Sequence, residues 1–266
     1  MPIFVALLVW IMAGALAIPF FTRTWWLPEA ISEHARQVDA QFMLTLAVTG
    51  VIFILAQAGL GYVVWRYGRR RPEPAASFHG NNTMEMVWTS ATGVLFIGLT
   101  IMGTQVWGRV HFQGPPPGAI QIEMTGQQFV WNARYSGPDG KFGKLDITQI
   151  NDQSNPVGVD SKDPAGKDDI TAPTMAVLVN RPVEVILRSK DVTHSFSVRE
   201  LRLKQDAVPG MITRLHFTAE KTGTYEIACM ELCGLGHYKM RSFLEVLEPA
   251  EYEKWLKERS QQPAAQ

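Results

Sequence analysis

Residues 229–240 read CMELCGLGHYKM and lie between TYEIAC at 224–229 and RSFLEVL at 241–247, two short runs rich in β-branched and aromatic residues. Such runs read as strands, so the segment is a loop where two strands end. It carries two thiols, an imidazole and a thioether. Thiolate and thioether are soft ligands that select copper, and imidazole suits the same metal, so Cys229, Cys233, His237 and Met240 form a coherent donor set. A single-copper electron-transfer site needs one Cys beside two His and a weak Met, and the second thiol here points to two coppers bridged by sulfur. A second imidazole has to come from a neighbouring strand. His194 in DVTHSFSV (191–198) fits, because its flanks alternate polar and apolar residues as a half-buried strand end does.

Outward from the loop, the same strand signal recurs in AIQIEM, FVWNARY, MAVLVN, VEVILRS, HSFSV and TRLHFTA, punctuated by PPPG, SGPDG and VPG turns. Several short strands at this spacing predict an all-β sandwich or barrel of the Greek-key kind over 109–248. Residues 137–169 hold many Asp, Asn, Gly, Lys and Pro and few apolar side chains, which reads as a loop insertion: a solvated excursion or a docking surface. A short amphipathic helix, 249–259, and a polar tail to 266 close the chain.

The first 108 residues differ. Pro2–Thr22, Phe42–Trp65 and Met86–Gly108 carry no charge, and each is about long enough to cross a hydrocarbon core of roughly 30 Å as a helix. The second and third form a transmembrane hairpin over 40–108. The first, 1–22, is either a signal peptide, with Ala15-Leu16-Ala17 as a small-residue cleavage pattern, or an extra transmembrane helix. Arg66, Arg69, Arg70 and Arg71 lie between the hairpin helices and belong on the cytoplasmic side, which puts the C-terminal domain outside the cell membrane or in a periplasm. The formal net charge is zero, so nothing favours a nucleic-acid partner.

HSF at 194–196, DAVPG at 206–210 and CMELCGLGHYKM together resemble the CuA domain of cytochrome c oxidase subunit II, and the resemblance spans almost the whole chain. It implies a cupredoxin-like domain behind a membrane hairpin, a binuclear copper centre, and passage of electrons from cytochrome c to haem in the catalytic subunit I, where oxygen is reduced. It also implies that the Glu231 backbone carbonyl ligates copper and that its side chain reaches a magnesium ion shared with that subunit. GQQFVWNARY (126–135) resembles the family's aromatic segment. Phe129 stands where the family has its electron-accepting tryptophan, and Trp131, two residues on, faces the same side of a strand and would lie near the donor surface. Plain strand packing is the alternative for Trp131. Glu85 in EMVWTS matches the family's proton-inlet carboxylate, although Asn82 three residues earlier would make it half of a capping box.

Other readings attach to the same residues. The two cysteines could form a disulfide, which would not need the downstream His and Met. A membrane-anchored copper chaperone also carries CxxxC and a distant His, but on a thioredoxin-like fold with the cysteines before the His. A CuA subunit of a membrane nitric oxide reductase would share every motif. Asp191 and Asp206 would steer a basic donor, diluted by Arg188, Lys190, Arg199, Arg202 and Lys204 nearby.

Overall fold

The computed structural model describes residues 1–24, 26–68 and 80–261. Arg69, Arg70, Arg71 and the end of the polar tail lie outside them. Among the described residues three helices are long and apolar enough to cross a membrane: α1 (Pro2–Phe21), α2 (Glu33–Tyr67) and α3 (Asn82–His111). At 1.5 Å per residue α1 spans about 30 Å, the thickness of a hydrocarbon core. α2 begins several residues before the uncharged stretch, and α3 runs slightly past it. The helix start at α3 differs from the expected Asn82 cap. The Asn81 side chain accepts from the Met84 amide at 3.1 Å, one residue upstream, and the Glu85 amide donates to the Asn81 carbonyl at 2.9 Å. Asn82 and Glu85 therefore do not form the reciprocal pair, and Glu85 sits exposed in the first turn.

The chain divides into two compact units, Met1–Leu27 with Asp39–Trp107, and Pro28–Val38 with Gly108–Gln266. In the second unit the strands are β1 (Ile120–Gln127), β2 (Val130–Tyr135), β3 (Ile170–Ala172), β4 (Met175–Leu178), β5 (Pro182–Ser189), β6 (His194–Val198), β7 (Leu203–Ala207), β8 (Thr213–Thr218), β9 (Gly223–Cys229) and β10 (Arg241–Leu247). They form two five-stranded sheets, β3-β2-β1-β5-β8 and β4-β10-β9-β6-β7. β1 pairs with β5 and β4 with β10 in parallel, while the remaining pairs are antiparallel. This is the two-sheet, Greek-key, cupredoxin-like sandwich the sequence predicts. Its interior is filled by Ile122, Met124, Trp131, Leu187, Phe196, Phe217 and Ile227, all essentially inaccessible. β3 and β7 were not among the expected strands, because ITA is very short and LKQDA buries only its end residues. α4 (Pro249–Gln261) lays Tyr252 and Trp255 on the core.

β2 is buried on both faces. Trp131, Ala133 and Tyr135 enter the core, whereas Arg134 faces the other way and is covered by the 137–169 segment. Arg134 Nε donates to Glu123 at 2.8 Å, and its Nη1 donates to the Gly143 carbonyl at 2.9 Å and to Asp169 at 3.0 Å. Arg188 reaches the other oxygen of Glu123 at 3.1 Å. Residues 137–169, a loop with 3-10 turns at Ile147–Gln149 and Pro164–Gly166, are thus anchored by a buried ionic network.

A second anchor precedes α2. Ile31 exchanges backbone hydrogen bonds with Glu200 and Glu220 at 3.1 and 2.8 Å, and its side chain joins the core at 2 % exposure. Ser32 caps the helix by accepting from the Ala35 amide at 3.1 Å, and Arg36 clasps Glu220 through two contacts of 2.5 and 3.0 Å. Ile31→Ala is expected to destabilise the β-sandwich unit by about 2–5 kcal/mol, the range for truncating a buried Ile, read as a lowered thermal unfolding midpoint.

Candidate metal centre

Strand β9 ends at Cys229 and β10 begins after Met240, so the intervening loop has its two ends fastened by the sheet. The Cys229 amide donates to the Met240 carbonyl at 3.2 Å, and the Met230 amide donates to the Ser195 carbonyl at 3.0 Å. Within the loop, His237 and Met240 amides close successive turns onto Gly234 and His237. Because β6 pairs with β9 through Phe196 and Cys229, the first residue of β6, His194, stands beside the loop.

The result is one buried cluster. Cys229 and Cys233 are free thiols with sulfurs 3.9 Å apart, well beyond the roughly 2 Å of a disulfide. His194 Nδ1 lies 3.9 Å from Cys229 Sγ, and the Glu231 carbonyl 3.2 Å from the same sulfur. His237 Nδ1 lies 3.6 Å from Cys233 Sγ, and Met240 Sδ 3.7 Å from it. Each sulfur is therefore flanked by one imidazole and one weaker donor. His194, Cys229 and Cys233 place their ligand atoms within 4.8 Å of one another. The Glu231 side chain points out and is exposed.

The donor chemistry can be tested against candidate metals. Two thiols, a thioether and two imidazoles are soft or borderline ligands and fit copper rather than a hard cation. A structural zinc is satisfied by four ligands, and this cluster offers more, arranged around two sulfurs. The thioredoxin-like chaperone reading is not supported by the fold, since the cysteines follow a strand of an all-β sandwich and no helix opens at them.

Burial first, then the neighbouring Cys229, pushes the Cys233 thiol up to about 11. Metals bind the thiolate, so a thiol protonated at neutral pH must release its proton on binding. Apparent copper affinity is therefore expected to rise with pH below that value, by roughly tenfold per pH unit for each displaced proton, in chelator competition titrations.

The turn between β1 and β2 lies over the loop. Gln128 Nε2 donates to the Cys233 carbonyl at 2.5 Å, and the Phe129 ring rests on the backbone of Gly234 and Gly236. A Cβ at Gly236 would come within 2.4 Å of that ring. Gly236→Ala is thus expected to displace Phe129 and loosen the loop, with faster copper loss to a chelator, and Phe129→Ala in the same chain is expected to restore retention. Gly126 serves His194 in the same way, because a Cβ there would meet the imidazole at 2.9 Å.

Trp131 requires a correction. It is 1 % exposed, edge-on to His194 and Phe196 with ring centroids 6.0 Å away in each case. It does not face a donor surface. The two-residue alternation fails because Phe129 belongs to the turn rather than to β2, so the two side chains do not share a strand face. Phe129 is the half-buried aromatic at the outside.

Of the two acids, Asp206 meets one of the cations expected to dilute its charge, whereas Asp191 turns toward the metal cluster. Asp206 pairs with Lys204 at 3.0 Å. Asp191 accepts from His194 Nε2 and from the Gln128 amide, each at 2.7 Å. Burial opposes ionisation of Asp191, but the hydrogen bonds from Gln128, His194 and Val192 hold its carboxyl below its ordinary value. Gly126 and Gln128 anchor the match of GQQFVWNARY to the family's aromatic segment, yet their contacts with His194 and the metal loop had no sequence signal, and neither had that of Gly236. The D-x-x-H spacing was the available hint for Asp191.

Residues 120–247 match the family model for the periplasmic domain of cytochrome c oxidase subunit II. Over 257 residues the chain is 34 % identical to the alternative cytochrome c oxidase subunit 2 of Bradyrhizobium diazoefficiens, covering 96 % of this chain and 91 % of that protein. It is 29 % identical over 222 residues to cytochrome c oxidase subunit 2 of Cereibacter sphaeroides, covering 80 % and 73 %. A crystal structure of the periplasmic domain of subunit II of a cytochrome oxidase from Bradyrhizobium japonicum is similar at 27 % identity and a TM-score of 0.42, covering 56 % of this chain and 99 % of that one.

Proposed function

The chain belongs to the cytochrome c oxidase subunit II family, and from that premise we propose that it is the copper-bearing electron inlet of a respiratory terminal oxidase. It sits in a bacterial inner membrane with the β-sandwich on the periplasmic side. There it takes electrons from cytochrome c and passes them to haem in the catalytic subunit, which reduces oxygen to water.

The observation that carries this reading is the pair of buried thiols 3.9 Å apart, each flanked by an imidazole and a weaker donor. His194, Cys229, Cys233, His237 and Met240, with the Glu231 carbonyl, would hold two coppers. A bound copper pair would supply a one-electron store shared over both metals. The chain's own task is to keep those donors fixed in both redox states, which the strand ends, the loop turns and the overlying Gln128 do through their hydrogen bonds. Burial of Cys229, Cys233 and Met240 keeps water from the sulfurs.

Phe129, at the outer end of the turn, is the aromatic through which an electron would reach the centre. Exposed Leu232, Leu235 and Tyr238 on the loop give apolar area for a partner. The Glu231 carboxylate would contribute to a magnesium site at the boundary with the catalytic subunit, since hard cations take carboxylate oxygen. Glu85, at the start of α3, is the proposed proton inlet.

The test is turnover of the complex purified with its catalytic subunit. Oxidation of reduced cytochrome c with consumption of oxygen is expected. Consumption of nitric oxide in place of oxygen would transfer the same subunit to a nitric oxide reductase, and failure to oxidise cytochrome c would contradict the assigned donor.

A further inference from the structure

We propose that Asp191 is a positioning residue of the metal centre, holding the His194 imidazole in one tautomer and locking it to the Gln128–Phe129 turn. The inference rests on the copper reading above and concerns a contact that reading does not use.

The geometry is a bridge. One carboxylate oxygen of Asp191 lies 2.7 Å from His194 Nε2 and also accepts from the Val192 amide at 2.7 Å. The other oxygen accepts from the Gln128 amide at 2.7 Å. An ionised carboxylate only accepts, so His194 Nε2 must donate and carry the proton. That leaves the lone pair on Nδ1, the nitrogen facing Cys229 Sγ at 3.9 Å. A carboxylate behind a ligating imidazole fixes ring orientation and raises its donor strength.

The same carboxylate ties the ligand to the turn above the loop, whose Gln128 side chain holds the Cys233 carbonyl. Through these two arms the turn fastens one ligand on β6 and one on the loop, which are otherwise on separate elements. The ring is packed between Gly126 and Trp131. The adjacent Lys190 does not compete for Asp191, because its ammonium is engaged by Asp152 at 2.5 Å and by Gln127 at 2.9 Å. His237 has no carboxylate partner among the described residues, so the two imidazoles are supported unequally.

The experiment uses the full chain in detergent, as wild type, Asp191→Asn and Asp191→Ala. Three quantities are read: the tautomer of His194 in the metal-free protein by nitrogen-15 NMR, copper retention against a chelator, and the reduction potential of the loaded protein. Wild type is expected to show His194 protonated at Nε2. Asp191→Ala is expected to populate the other tautomer and weaken copper retention about 10–100-fold. Asp191→Asn keeps one acceptor oxygen without the charge and loses the other arm of the bridge, so its copper retention is expected to fall between wild type and Asp191→Ala while its potential moves upward.

An Asp191→Ala chain that keeps the Nε2–H tautomer and wild-type copper retention would overturn the inference. An unshifted potential in Asp191→Asn would equally count against it. If wild type takes up no copper pair, the copper reading fails, and the tautomer of the metal-free protein still decides the role of Asp191.

Discussion

Replacing Cys233 with serine is expected to lower bound copper from two per chain to at most one and to abolish the electron-shared state. The sulfur of Cys233 is the junction of the cluster, next to Cys229, His237 and Met240 at 3.9, 3.6 and 3.7 Å. A hydroxyl is harder and far less acidic than a thiol, so it neither bridges two soft metals nor satisfies one. Met240 and His237 then have no shared sulfur to face. The Gln128 contact uses the backbone carbonyl of residue 233 and survives the change, so the loop should keep its fold. The measurement is metal content with electron paramagnetic resonance on Cys233→Ser, beside thermal unfolding to confirm that the sandwich is intact. Two coppers and an unchanged spectrum in the variant would mean that this thiol is not a ligand.

Arg134→Met is expected to cause the largest loss of stability, about 3–5 kcal/mol, the cost of removing one partner from a buried ion pair. Arg134, Glu123 and Asp169 have side chains only 2, 5 and 1 % exposed. Methionine fills much of the same volume but supplies no donor, leaving Asp169 without its cation and Glu123 with only the half-exposed Arg188. The Gly143 carbonyl loses its donor as well, so 137–169 should detach and become sensitive to protease before the sandwich unfolds. Replacing Glu123 and Asp169 by apolar residues in the same chain is expected to recover most of the loss, because a buried ionic network gains little over good apolar packing. A loss below about 1 kcal/mol would show that these groups behave as solvated surface ions.

The metal loop was legible in the sequence because four of its side-chain donors fall within twelve consecutive residues and their softness alone selects the metal. Eight of the strands were legible for a similar reason: β-branched and aromatic runs end at Pro and Gly. What escaped were contacts between residues far apart in the chain. Asp191 looked like a steering charge, because nothing in DVTH says which way its carboxylate turns. Of the two readings of Trp131, plain strand packing matches its burial, whereas the surface reading counted alternation from Phe129 along a strand that begins only at Val130. The 28–38 segment has no run of apolar residues, and it docks through Ile31, two backbone hydrogen bonds and polar partners such as Glu220 for Arg36, all distant in the chain. Arg134 could not be told from a solvated arginine until Asp169, thirty-five positions away, was brought beside it.

The most direct test of the copper centre is to load the full chain with copper in detergent and to record metal stoichiometry together with the electron paramagnetic resonance spectrum. Two coppers per chain with a seven-line hyperfine pattern, from one electron shared equally by both nuclei, is the expected result. A single copper with a four-line pattern, or a Cys229–Cys233 disulfide that takes up no copper, would contradict it.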